Sequence, residues 1–184
     1  MSARRPIIVG AVATTVAAVA ALYAKSRRHA PLPTVPYVDL PRYAGKWYEI
    51  ARLPASFEKD CTSVTAQYTI RPDGDVTVVN TCHKHTPTGK VKKAEGLATV
   101  ADPTTNAKLK VQFFWPFKGD YWILALDSDY RYAMVGEPSR ENLWLLSRTP
   151  QLPVIVQNEL VQRGQELGFP VEKLIFTQQA PPAF

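Results

Sequence analysis

Tyr43-Ala44-Gly45-Lys46-Trp47-Tyr48-Glu49-Ile50-Ala51-Arg52 puts a glycine at the head of a strand and a tryptophan two residues into it. About a hundred residues later, Leu143-Trp144-Leu145-Leu146-Ser147-Arg148-Thr149-Pro150 ends a second strand on an arginine. An indole and a guanidinium so far apart in sequence share one plain physical purpose, stacking across the closed end of a barrel. Such a contact contributes roughly 0.5–2 kcal/mol. Alternate residues of a strand share a face. If Arg148 meets Trp47, then Trp144 and Leu146 turn inward with it, and Glu49 and Ala51 turn inward with Trp47.

Further short strands, with no internal sequence repeat, lie between these two. Strands are expected over Trp47–Pro54, Val64–Ile70, Val76–Cys82, Gly96–Ala101, Leu109–Trp115, Tyr121–Leu126, Tyr130–Gly136 and Leu143–Arg148. Pro72-Asp73-Gly74, Pro87-Thr88-Gly89, Asp102-Pro103-Thr104, Lys118-Gly119-Asp120 and Glu137-Pro138-Ser139 supply turns. Many short strands with tight turns predict an all-β antiparallel meander. The period changes after Pro150. Val156, Leu160 and Leu167 fall on helical spacing, with Pro153 before them and Gly168 after, so Val154–Leu167 is expected to be an amphipathic helix. Val171–Thr177 returns to a strand-like pattern.

Two cysteines, Cys61 and Cys82, flank a hairpin whose tip is Asp73-Gly74. Folding the chain about that tip sets them roughly opposite each other, so a cross-strand disulfide is expected, in keeping with an oxidising compartment. Two separate buried thiols are the competing reading.

The net charge of +6 is unevenly placed. Arg4, Arg5, Lys25, Arg27 and Arg28 are five of the 22 basic residues, and no acid precedes Asp39. The remaining 17 basic residues face 16 acids, which argues against a nucleic-acid binder. The basic excess flanks an apolar run, Pro6–Ala24, long enough as a helix to span roughly 28 Å, near the thickness of a bilayer core. Residues 1–29 are therefore expected to form a membrane anchor or a signal segment, with residues 7–24 in the membrane. Ala18-Val19-Ala20 offers a cleavage site for the signal reading. No cysteine ends the run, so lipidation there is not available. Residues 30–37, with Pro31, Pro33 and Pro36, read as a stiff linker. Residues 38–184 make up the domain.

The Gly45–Trp47 and Arg148 stretches, with Asp127-Ser128-Asp129-Tyr130 between them, resemble the three motifs of the lipocalins in order and spacing. The similarity covers about Val38–Gln178 and is greatest to the bacterial outer-membrane members and apolipoprotein D. It implies an eight-stranded antiparallel up-and-down barrel with the C-terminal α-helix packed outside. It assigns Gly45, Trp47, Asp129, Tyr130 and Arg148 to the structural motif. It turns Ala66, Tyr68, Val78, Asn80, Tyr121, Ile123 and Ala125 inward, and makes Pro54–Lys59 a lid over the mouth, with Phe57 as a contact. Leu109, Val111 and Phe113 are inward on their own evidence, because their strand's other face is Lys108, Lys110 and Gln112. The expected ligand-binding set is Ala51, Phe57, Ala66, Tyr68, Val78, Asn80, Leu109, Val111, Phe113, Tyr121, Ile123 and Trp144. Ala51, Ala66, Ala98 and Ala125 are expected to leave space among them.

Catalytic signatures are missing from the sequence. It contains no Gly-x-Ser-x-Gly elbow, phosphate loop, His-Glu-x-x-His or dinucleotide fingerprint. His83 and His85 lack an evident third metal ligand, and no metal or cofactor is expected. The reading is a non-enzymatic, exported, membrane-anchored protein facing the periplasm or cell exterior. It would hold a fatty acid or lysophospholipid in the barrel, for envelope maintenance or stress. The alternative is an envelope interaction module with a filled barrel. A homodimer is compatible with either.

Overall fold

Side chains alternating inward and outward along eight short segments close one antiparallel sheet on itself. The computed structural model of the chain describes residues 31–180. A single helical turn, α1 (Leu40–Tyr43), leads into β1 (Gly45–Arg52). Then follow β2 (Cys61–Ile70), β3 (Val76–Lys84), β4 (Val91–Val100), β5 (Lys108–Phe114), β6 (Phe117–Leu126), β7 (Tyr132–Gly136) and β8 (Leu143–Ser147). Each strand pairs with its neighbour in sequence, and β1 pairs with both β2 and β8, so the barrel closes. Helix α2 (Val154–Glu166) and a short strand β9 (Ile175–Phe176) complete the described chain. The eight-stranded barrel and the outer helix are as expected. The expected N-terminal apolar helix, and the 1–29 segment that contains it, lie outside the described residues. Among the described residues no helix is long and apolar enough to cross a membrane.

Apolar residues divide into two main clusters. One fills the barrel and includes Trp47, Tyr68, Val78, Leu109, Ile123, Val135 and Leu146. The other lies outside the sheet under α2 and includes Leu53, Leu124, Met134, Leu145, Leu160 and Phe169. Gly164 lets α2 approach closely. A Cβ there would sit 3.3 Å from Leu143 and 3.1 Å from Val171.

Two β-bulges correct the simple alternation. In β1 the register slips between Glu49 and Ala51. Glu49 keeps the inward direction of Trp47, but Ala51 moves into the outer cluster and buried Arg52 meets Glu49 instead. In β6 the slip lies between Ile123 and Ala125. Ile123 points inward, whereas Ala125 packs against the outer cluster and Leu126 against the inner one. An extra residue in one strand reverses the facing of everything beyond it, which strict parity cannot foresee.

Residues 32–37 do not stand away from the domain as a spacer. Leu32 is buried in the outer cluster, and the Val35 N–H donates to the Ile123 carbonyl at 3.0 Å. The C-terminal segment closes a gap where β1 and β2 diverge. Thr177 N–H donates to Ile50, Ser63 N–H to Gln178, and Gln179 Nε2 to the carbonyls of both Glu49 and Val64. The expected strand over Val171–Thr177 is thus broken into a 3₁₀ turn, Val171–Lys173, and β9.

Candidate ligand-binding site

The closed end is built around Trp47, whose indole is fully buried. Gly45 enters β1 at φ +94°, where a side chain would be strained, and sits beside Arg148. The Arg148 guanidinium lies 3.9 Å from the Trp47 ring centroid. It also donates to the carbonyls of Lys46 at 2.9 Å, Arg42 at 2.7 Å, Tyr43 at 3.1 Å and Tyr130 at 3.2 Å. Trp47 Nε1 donates to Tyr43 O at 2.8 Å. Tyr130, at φ +61°, accepts the Asp39 N–H through its hydroxyl. Asp129 plays a smaller part than expected. It is exposed, and the neighbouring Asp127 ties the loop, accepting from Arg131 Nε at 2.7 Å and from the Asp129 and Arg131 N–H groups. These bonds hold the Asp127 carboxyl down at about 2.

Above this floor three tyrosines cross the interior. The Tyr121 hydroxyl is 2.8 Å from both the Tyr43 and Tyr68 hydroxyls. Burial keeps all three protonated, with Tyr68 pushed up to about 12. A small cleft with room for about one water molecule runs beside them and is lined by Leu40, Tyr68, Val76, Ala98, Leu109 and Val111, among others.

Ala66, Asn80, Val111, Phe113, Tyr121 and Trp144 belong to inward positions but keep partial solvent access. Val78, Leu109 and Ile123, inward but deeper, are buried. Phe113 lies across from Gly96, where a Cβ would come within 2.8 Å of its ring. The Asn80 side-chain oxygen is buried without a hydrogen-bond partner. The interior is therefore closed at the floor and, above it, a funnel partly open to solvent.

A buried ion triad, Glu49–Arg52–Glu58, marks the wall of this funnel. Arg52 Nη1 is 2.9 Å from Glu49 Oε1. Arg52 Nε is 3.0 Å from Glu58 Oε2, an ion pair whose angle is too poor for a hydrogen bond, while Nη2 donates to the Glu58 carbonyl at 2.8 Å. Glu49 also accepts from the Thr177 hydroxyl, and Trp144 Nε1 reaches Glu58 at 3.4 Å. Burial, then the Glu58 charge, pushes Glu49 up to about 8, and burial raises Glu58 as well. One guanidinium cannot neutralise two carboxylates away from water. Glu58 ends the 3₁₀ turn Ser56–Glu58 in the lid loop, so the triad ties the lid to β1. Phe57 in the same turn faces solvent at 56 % exposure, at the mouth rather than over the cavity. The β1 bulge hides the direction of Arg52 from the sequence, and Glu58 lies in a loop, where no strand alternation gives a direction. The cysteines do form a disulfide, with Cα atoms 5.5 Å apart, at the mouth end of the first hairpin. Both thiols are thus consumed, and neither serves as a nucleophile in this state.

A calyx with a braced floor, an open mouth and an outer C-terminal helix is the architecture of a small-molecule-binding barrel. The model of the lipocalin-like domain matches residues 38–179, and the chain belongs to the lipocalin family. It is 43 % identical over 142 residues to the outer membrane lipoprotein Blc of Vibrio cholerae, covering 77 % of this chain and 82 % of that one. It is 41 % identical over 156 residues to temperature-induced lipocalin-1 of Arabidopsis thaliana, covering 79 % and 82 %. Apolipoprotein D of Bos taurus is 36 % identical over 149 residues, covering 77 % of each chain. Among solved structures, insecticyanin of Manduca sexta superposes with a TM-score of 0.67 at 22 % identity, over 83 % of this chain and 86 % of that one. That likeness concerns the fold alone.

Proposed function

We propose that this lipocalin holds an acyl-chain ligand, of the fatty acid or lysophospholipid class, in the upper half of the barrel. The observation that carries the reading is the contrast between a filled floor and inward residues above it that remain accessible. Ala66, Asn80, Val111, Phe113, Tyr121 and Trp144 would line the chain, and the deeper Tyr68, Val78, Leu109 and Ile123 would meet its end. Each buried methylene contributes about 0.8 kcal/mol. Burial and the Glu58 charge push the Glu49 carboxyl toward its neutral form, which lowers the charge of this wall and suits an apolar chain. Catalysis is not part of the reading, because the funnel lacks an activated nucleophile. The outer-membrane name of the bacterial relatives supports an exported, membrane-attached protein. Residues 1–29 would serve as its anchor or leader, with 7–24 in the membrane.

The Tyr43–Tyr68–Tyr121 plug favours the second reading, a filled barrel that acts as an envelope interaction module. Oleic acid titrated into the detergent-free protein separates the two. Quenching or a shift of tryptophan emission is expected, and is expected to shrink in Trp144→Phe. A folded Val111→Asp variant should bind much more weakly, since an unpartnered carboxylate is costly to bury against an acyl chain. Unchanged emission, or equal affinity in Val111→Asp, rejects an interior site and leaves the filled-barrel reading.

A further inference from the structure

We propose that one side of the barrel mouth docks on an anionic lipid surface, with the tip of the β5–β6 hairpin as its wedge. This goes beyond the ligand reading and does not depend on it. The tip is Phe114-Trp115-Pro116-Phe117, where polar turn residues would be ordinary. Phe114 is 76 % exposed, Trp115 87 % and Phe117 78 %. None of the three packs into either main apolar cluster. Three large aromatics on one convex tip are costly in water and suit the boundary between headgroups and acyl chains. Phe57 and Val91, 56 % and 49 % exposed, share the mouth end of the barrel with them.

Lysines outnumber acids around the tip. The three loops on this side and the strand ends beside them carry Lys59, Lys84, Lys90, Lys92, Lys93 and Lys118. Lys84 reaches over to the Lys59 carbonyl, so the first two of these loops are joined. The acids nearby are Asp60, Glu95, Asp120 and Glu58; Asp120 is paired with Lys110 at 2.8 Å, and Glu58 is turned inward to Arg52. Glu137 and Glu141 sit on the fourth mouth loop, between β7 and β8. An apolar tip beside a lysine rim matches a surface that is both oily and negative. A second copy of this chain would set the lysine rims against each other, so a bilayer is the better fit for the charge.

The test uses the full chain, mixed with vesicles of equal parts phosphatidylcholine and phosphatidylglycerol carrying brominated acyl chains. Subtracting the quenching of Trp115→Ser from that of the parent isolates Trp115 from Trp47, Trp122 and Trp144. A quenched Trp115 component is expected. It should weaken in Phe117→Ser, which keeps the reporter. It should weaken about fivefold for each of Lys90, Lys92 and Lys93 changed to Gln, and also at high salt. Both aromatic sites are exposed, so the variants should keep the parent circular dichroism. Equal quenching in parent and Trp115→Ser overturns the proposal. So does quenching that is the same in pure phosphatidylcholine and indifferent to the lysines. A Trp115 emission that shifts with protein concentration in the absence of lipid, with doubled mass in sedimentation, assigns the tip to a second copy and also overturns it. None of these outcomes bears on oleic acid binding in solution, so the two readings fail separately.

Discussion

At the scale of the residue, Arg148 stabilises the floor through carbonyls as much as through the indole. Its guanidinium satisfies four backbone oxygens from α1, β1 and the β7 approach while covering Trp47. Removing it leaves those acceptors without a donor and uncovers a fully buried ring. Arg148→Ala is expected to cost about 2–4 kcal/mol, read as a lower urea midpoint. Fatty acid affinity should change far less, since the residue lies below the tyrosine plug. Unchanged stability with collapsed binding would contradict that division of labour. The Trp47–Arg148 pair was legible in the sequence because each residue stands at a strand end with distinctive chemistry. Arg52 was not, since its direction depends on a slip of one residue in a neighbouring pairing.

At the scale of the element, the first hairpin joins the mouth to the barrel wall. β2 and β3 pair from Ile70–Val76 upward, with a bulge between Thr62 and Thr65, and Cys61 then lies opposite Lys84. The disulfide therefore links diagonal rather than directly opposed positions, two residues apart along β3. It closes a loop of sequence separation 21. The Cys61→Ser, Cys82→Ser double variant should lose about 2–4 kcal/mol by the chain-entropy account. The loss should appear in equilibrium unfolding of parent and variant under identical buffer, and no difference would mean that the crosslink leaves the unfolded chain unconstrained. The bulges in β1 and β6 show how an element's ends can be read correctly while its faces are not. The apolar character of Ala51 and Ala125 fits either cluster, and only the pairing says which.

At the scale of the whole molecule, the triad makes stability depend on pH. The Glu49 carboxyl keeps its proton up to about pH 8 in the folded chain, whereas the unfolded chain releases it near the ordinary carboxylate value of about 4.3. Between those values the native state binds more protons than the unfolded one, so stability falls as pH rises. The slope from this group is at most about 1.4 kcal/mol per pH unit. Glu58 is shifted in the same direction. Asp127, held low, acts with the opposite sign only in the acid range. Urea unfolding of parent and Glu49→Gln between about pH 5 and pH 8 should show a shallower decline in the variant. Parallel curves would mean that Arg52 neutralises Glu49 fully.

Period-two alternation, turn residues at the right intervals, the helical spacing after Pro150, and the glycine, tryptophan and arginine of the floor determined the strand count, the C-terminal helix and the closed end, while the family resemblance placed that helix outside the barrel. These are local properties, written in side-chain size and backbone preference. The cysteine pairing was legible for the same reason, because a hairpin tip sets its own register. Tertiary structure decided which strand faces reverse at a bulge, which three tyrosines meet hydroxyl to hydroxyl, and that Glu49, Arg52 and Glu58 share one buried site. It also decided that residues 32–37 pack on the barrel instead of standing off as a spacer. The physical reason is common to all of these. A side chain's direction is a property of the pairing between strands, and an ionisable group's proton is a property of the charges and burial around it, so neither is carried by any one segment alone.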